Sequence, residues 1–127
     1  MRSYLPILLV ALGGALGALA RYGLGWLVQG NRGHFPYGTL VVNILGCLAM
    51  GVLMGLVSPN IAKPGHRLFI GIGFLGAFTT FSTFSYEALS LFQHNNPTGG
   101  LLYIGLSMAG SLAAVTVGYL ITSAIWR

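Results

Sequence analysis

Acidic residues are all but missing from this chain. Glu87 is the only one among 127 residues, against six Lys and Arg, and charged residues make up 6% of the sequence. A soluble domain carries about 25% charged residues, so a water-facing globular surface is excluded. Cysteine is equally scarce: Cys47 alone provides neither an intrachain disulfide nor a metal framework. The three histidines, His34, His66 and His94, fall in predicted loops without metal-ligand spacing. No nucleophile–base pair presents itself, so an enzyme is not expected. The net charge of +5 is spread along the chain rather than gathered into a patch, which argues against a nucleic-acid partner.

What the chain has is apolar length. Hydrophobic residues make up 55% of it, and the mean hydropathy is +0.82. A membrane-crossing helix needs about 20 predominantly apolar residues. Four such spans are expected, over about 5–28, 37–57, 68–92 and 101–126. The linkers 29–36, 58–67 and 93–100 are short and polar, and each contains Pro and Gly, which end helices. The first span follows a single Arg2 and superficially resembles a signal peptide. It lacks a convincing cleavage site and runs on past Gly17, so it is read as retained. The whole of residues 1–127 is therefore one four-helix transmembrane domain, with both termini on the same side of the bilayer.

Twenty glycines carry a second message. Gly13 and Gly17, then Gly51 and Gly55, make GxxxG motifs, and Gly110, Ala114 and Gly118 continue the small-xxx-small spacing in the fourth span. Such faces let membrane helices approach closely, either within one chain or against a second subunit. The loop charges are nearly balanced. Arg2, Lys63, Arg67 and Arg127 lie on the terminal side, and Arg32, with Arg21 near that end of span one, lies on the other. So weak a bias need not fix one orientation, and two opposite orientations pairing as an antiparallel dimer are compatible with it.

The polar residues inside the spans are concentrated in the third. Five of the seven residues from Thr79 to Ser85 carry hydroxyls, and the other two, Phe81 and Phe84, are three apart and so share a helix face. Gly73 and Gly76 weaken the helix where the hydroxyls begin. Hydroxyls can simply bond back to the preceding turn, and an aromatic stripe is usually packing. Their density beside a helix break points instead to a polar path, since irregular backbone at membrane depth is tolerated only where it is buried or lines a cavity. Thr39 and Asn43 in span two, and Ser107 and Ser111 in span four, each repeat a spacing of four. The carboxamide of Asn43 offers two N–H donors without charge, and a phenyl ring edge is the positive part of its quadrupole. Amide, hydroxyls and ring edges together make a weak, multi-point anion environment, which is what conduction requires. Asn43 could equally bond a neighbouring helix. Arg21 either anchors a helix end by snorkelling or caps carbonyls at a dimer centre. Glu87 either pairs with a basic loop residue or lines a pore mouth.

Three motifs in order, Gly-Ala-Leu-Gly-Ala-Leu-Ala-Arg-Tyr (residues 14–22), Val-Asn-Ile-Leu-Gly (42–46) and Gly-Phe-Leu-Gly-Ala-Phe-Thr-Thr-Phe-Ser-Thr-Phe-Ser (73–85), resemble those of the Fluc (CrcB) fluoride channels. The resemblance runs over the whole length. It implies an all-α membrane protein with a break in the third helix, an antiparallel dual-topology homodimer with two fluoride pores, and passive fluoride efflux across the cell (inner) membrane of a bacterium. It further implies that Phe81 and Phe84 turn ring edges to fluoride and that Asn43 is the pore asparagine. Ser82, Thr83 and Tyr103 would form a polar track, with Glu87 near a vestibule. Thr39, Ser107 and Ser111 would line the route. Carbonyls of Gly76 and Thr79 would hold a structural sodium ion at the dimer centre.

Two other readings compete. A proton-coupled small-molecule exporter needs a titratable carboxylate at membrane depth, and only Glu87, towards the end of span three, is available. A non-transporting membrane subunit accounts for the glycine motifs but not for the hydroxyl run.

Overall fold

The computed structural model describes residues 4–57 and 62–126. Arg2, Arg127 and part of the second linker (58–61) lie outside the described residues. Four stretches are long and apolar enough to cross a membrane, Leu5–Gln29, Tyr37–Val57, Pro64–Gln93 and Pro97–Ile125. The first and second are the continuous helices α1 (Leu5–Gln29) and α2 (Tyr37–Val57). The last is α5 (Pro97–Ile125).

The third span is in two pieces. Its first piece, α3 (residues 64–78), opens with one α turn and continues as a π-helix, Arg67–Leu75, before a final α turn, Gly76–Phe78. Thr79 and Thr80 are extended, at φ −82°, ψ 156° and φ −149°, ψ 122°. The second piece is α4 (Phe81–Gln93), whose N-cap Thr80 accepts from the Thr83 N–H. The break, expected near Gly76 to Thr79, falls at Thr79 and Thr80, and Gly76 itself is helical.

Two helix starts also differ from expectation, for one reason. The third and fourth spans begin four residues earlier than the apolar pattern suggested, at Pro64 and Pro97. A proline in the first turn has no N–H to lose there and its fixed φ suits the helix, so these prolines start helices rather than end them. Asn96 completes the second start by accepting the Gly99 N–H.

Packing runs in two close pairs, α1 along α3 and α2 along α5, joined by α1–α2 and α4–α5 contacts. The glycine motifs do this work within the chain. A Cβ at Gly13 or Gly17 would overlap the backbone carbonyls of Phe69 and Phe74. One at Gly51 would overlap the Val115 carbonyl, and one at Gly118 the Leu48 carbonyl. A third close crossing, Gly38 against the Gly25 carbonyl, pins α1 to α2 without any GxxxG spacing. The buried cluster Leu40, Phe84, Ala88, Leu91 and Tyr103 fills the space between α2, α4 and α5.

Candidate functional site

The break exists because α2 supplies what the helix ladder gives up. Asn43 Oδ1 accepts from Thr80 N at 2.8 Å, and Asn43 Nδ2 donates to Thr80 O at 3.0 Å. One side-chain amide thus pairs both backbone groups of an extended residue, as a neighbouring strand would. Gly46, one turn further along α2, has no side chain because the Thr79 methyl and the Phe78 ring occupy that space.

Two cavities meet at this pairing. A chamber of about 470 Å³ is lined by Arg21, Gln29, His34, Thr39, Thr80, Thr83 and Glu87, among others. A second, of about 210 Å³, is lined by Asn43, Cys47, Thr79, Thr80, Phe81, Phe84, Ser107, Met108 and Ser111. Thr80 borders both. None of the residues lining the second chamber is Asp, Glu, Lys, Arg or His.

In the first chamber the single carboxylate is fully engaged. Thr39 Oγ1 donates to Glu87 Oε1 at 2.8 Å, and the Tyr103 hydroxyl donates to Glu87 Oε2 at 2.7 Å. Tyr103 is completely buried, with its ring against Phe84 (5.3 Å between centroids) and edge-on to Phe35 (5.6 Å). Among the described residues, Glu87 therefore pairs with hydroxyls of α2 and α5 rather than with a basic loop residue. Arg21 lines the same chamber, and its buried Nε has no hydrogen-bond partner among the described residues.

In the second chamber the Phe81 and Phe84 rings stand 5.5 Å apart at 47°. Their surroundings differ: Phe84 is 7% exposed and Phe81 70%. Ser107 is 5% exposed; its buried Oγ makes no hydrogen bond of normal geometry among the described residues, with the Tyr103 hydroxyl as its near neighbour. A buried hydroxyl normally finds a partner, so this one keeps capacity for another. Ser111 borders the same space.

The sequence-predicted residues thus divide. Thr39, Thr83 and Glu87 gather at the first chamber, and Asn43, Phe81, Phe84, Ser107 and Ser111 at the second. Tyr103 bonds to Glu87 from behind the wall. Ser82 is exposed and borders neither chamber, reaching only the Thr80 hydroxyl at 3.3 Å. Gly76 and Thr79 flank the end of α3. Thr80 was not singled out, although a Thr just before a helical run is an N-cap signal. Gln29 was missed as well. Its Nε2 donates to Gly33 O and Phe35 O, and its Oε1 accepts from Gly38 N, which shapes the loop over the first chamber.

Comparison with known proteins adds independent findings. The family described as CrcB-like protein, Camphor Resistance (CrcB), matches residues 8–119. A protein of Acidobacterium capsulatum named fluoride-specific ion channel FluC is 44% identical over 118 residues, covering 91% of this chain and 94% of its own. The protein of that name from Thermus thermophilus is 47% identical, covering 93% and 95%, and that from Rhizobium etli 45%, covering 93% and 96%.

Proposed function

The chain belongs to the CrcB family of fluoride channels, and from that premise we propose how this multi-pass bacterial membrane protein conducts. Fluoride enters the first chamber, drawn by Arg21. It passes the Asn43–Thr80 pairing and crosses the second chamber between Ser107, Ser111 and the edges of Phe81 and Phe84. The observation that carries this reading is the second chamber itself. It brings the Ser107 and Ser111 hydroxyls, the Phe81 and Phe84 rings and the Asn43 amide to one space, with no fixed cation on its wall to trap the ion. Flow is passive and relieves fluoride toxicity.

The working unit is an antiparallel homodimer of dual topology with two pores. The near-balance of loop charge supports it, as does Phe81, a large ring at the chamber edge left open by its own protomer. A structural sodium ion at the dimer centre fits the donor chemistry. In an unbroken helix Thr80 N would serve the Gly76 carbonyl, and here it is given to Asn43 instead. The Gly76 and Thr79 carbonyls from two copies would hold the ion, which supplies the positive charge those oxygens need at membrane depth.

The deciding experiment is efflux from liposomes holding only this protein, read with a fluoride electrode and repeated with chloride. Rapid fluoride release with little chloride release is expected. No fluoride release from correctly folded protein, or proton uptake coupled to export of a larger solute, would overturn the reading.

A further inference from the structure

His34 and His94 lie in different loops, α1–α2 and α4–α5, and the fold stacks their imidazoles with centroids 6.3 Å apart and planes 12° from parallel. Both side chains are exposed; the backbone around His34 and the ring of His94 are held. His34 sits between Gly33 and Phe35, whose carbonyls accept from the same Gln29 amide at 3.0 and 3.1 Å. Nδ1 of His94 lies 2.8 Å from the Ser90 carbonyl. A carbonyl only accepts, so Nδ1 carries the proton and Nε2 keeps its lone pair. A ring N–H tied to a carbonyl, leaving the other nitrogen to bind, is how protein structures prepare a histidine for a metal.

We propose that His34 and His94 form a two-histidine site for a borderline divalent cation of the zinc class, at the mouth of the first chamber. Zinc binds imidazole nitrogen at about 2.0–2.1 Å, so two ligands in a tetrahedral arrangement stand about 3.3 Å apart. His94 keeps its bond to the Ser90 carbonyl, and rotation of the exposed His34 side chain closes that distance from the stacked pair. No group of three or more His, Cys, Asp and Glu suited to a metal occurs among the described residues, so water completes the coordination and binding is weak and reversible. The charges facing this mouth are Arg21 and Glu87 in the chamber wall and Arg32 in the same loop as His34. Glu87 is held by Thr39 and Tyr103. Arg32 is turned back to the Val28 carbonyl. A divalent ion at the two histidines would therefore be the strongest charge at the entrance, would tie the two loops together, and would hold an entering anion too firmly to release it quickly. That consequence for flux rests on the channel reading; the metal site does not.

The test is zinc titration of the purified protein by calorimetry, with fluoride efflux measured in parallel with and without zinc. One saturable zinc per chain is expected, with His34→Ala and His94→Ala each weakening it at least tenfold and His66→Ala leaving it unchanged. Zinc should slow efflux in the parent protein severalfold and leave His94→Ala, which borders neither chamber, at its own zinc-free rate. Equal zinc affinity in the parent and both variants, or slowing that persists in His94→Ala, would overturn the proposal. Zinc binding lost with either histidine in a protein that carries no fluoride would support the site and count against the channel.

Discussion

The carboxamide of Asn43 is both a wall of the second chamber and the partner of an extended residue, and its two roles predict a coupled failure. Leucine at this position keeps the bulk but strips Thr80 of an acceptor and a donor at once. Each bare backbone group at membrane depth costs several kcal/mol. Asn43→Leu should therefore lower resistance to denaturation in detergent and abolish most fluoride efflux together. A variant as stable as the parent would mean that the pairing contributes little. Phe81 allows the opposite separation. At 70% exposed it supports little of its own protomer, so Phe81→Ile should leave the unfolding of that protomer almost unchanged. Isoleucine has no positive ring edge, and efflux should fall at least tenfold. Parental efflux in a folded Phe81→Ile protein would return this ring to the role of packing. Phe84, buried against Tyr103, is the poorer probe because its substitution also disturbs the core.

Among helices, the same residue type has opposite value at different positions. Gly51 faces the Val115 carbonyl so closely that any Cβ must push α2 away from α5, whereas a Cβ at Gly105 meets nothing within 4 Å. Overpacking of this kind costs about 1–3 kcal/mol. Alanine at an open helical position gains up to about 1 kcal/mol over glycine. Gly51→Ala should thus lower the denaturation midpoint and Gly105→Ala hold or raise it, measured side by side in one detergent. Equal effects would show that the α2–α5 approach is slack. The GxxxG spacing made α1, α2 and α5 legible as packing faces, and apolar length made four spans legible. The site of the break was legible only in outline. The glycines and the hydroxyl run place it near Gly76 to Thr79, but they do not give the reason the ladder fails at Thr79 and Thr80, where Asn43, distant in sequence, captures Thr80. A tertiary bond of that kind leaves no local pattern. The stacked histidines were illegible for the same reason, since their spacing in the chain is set by two whole spans.

For the proposed dimer, the central ion and the orientation of the chains each have a direct experimental signature. If carbonyls of Gly76 and Thr79 from two copies hold sodium, replacing sodium with N-methylglucamine should loosen the dimer and slow efflux, because a large organic cation cannot enter a cage of backbone oxygens. Equal dimer stability and flux in the two cations would remove the ion from the account. Orientation can be tested through charge. The terminal side carries Arg2, Lys63, Arg67 and Arg127, and the other side Arg32 with Arg21 nearby. Arg21 lines a chamber, so the balance available to topology is set by a handful of loop residues, and two or three added lysines should decide it. Lysines placed in the 58–67 linker should drive every chain to one orientation, leaving no antiparallel partner, and efflux should collapse although the chain still inserts. Lysines placed in the 29–36 linker should do the same in the opposite sense. Neither variant alone should conduct, and their co-expression should restore efflux, because only the mixture supplies both orientations. Reporter tags on the terminus would read the orientation directly. Full efflux from either single-orientation variant would rule out the antiparallel dimer, since every chain in that membrane points the same way.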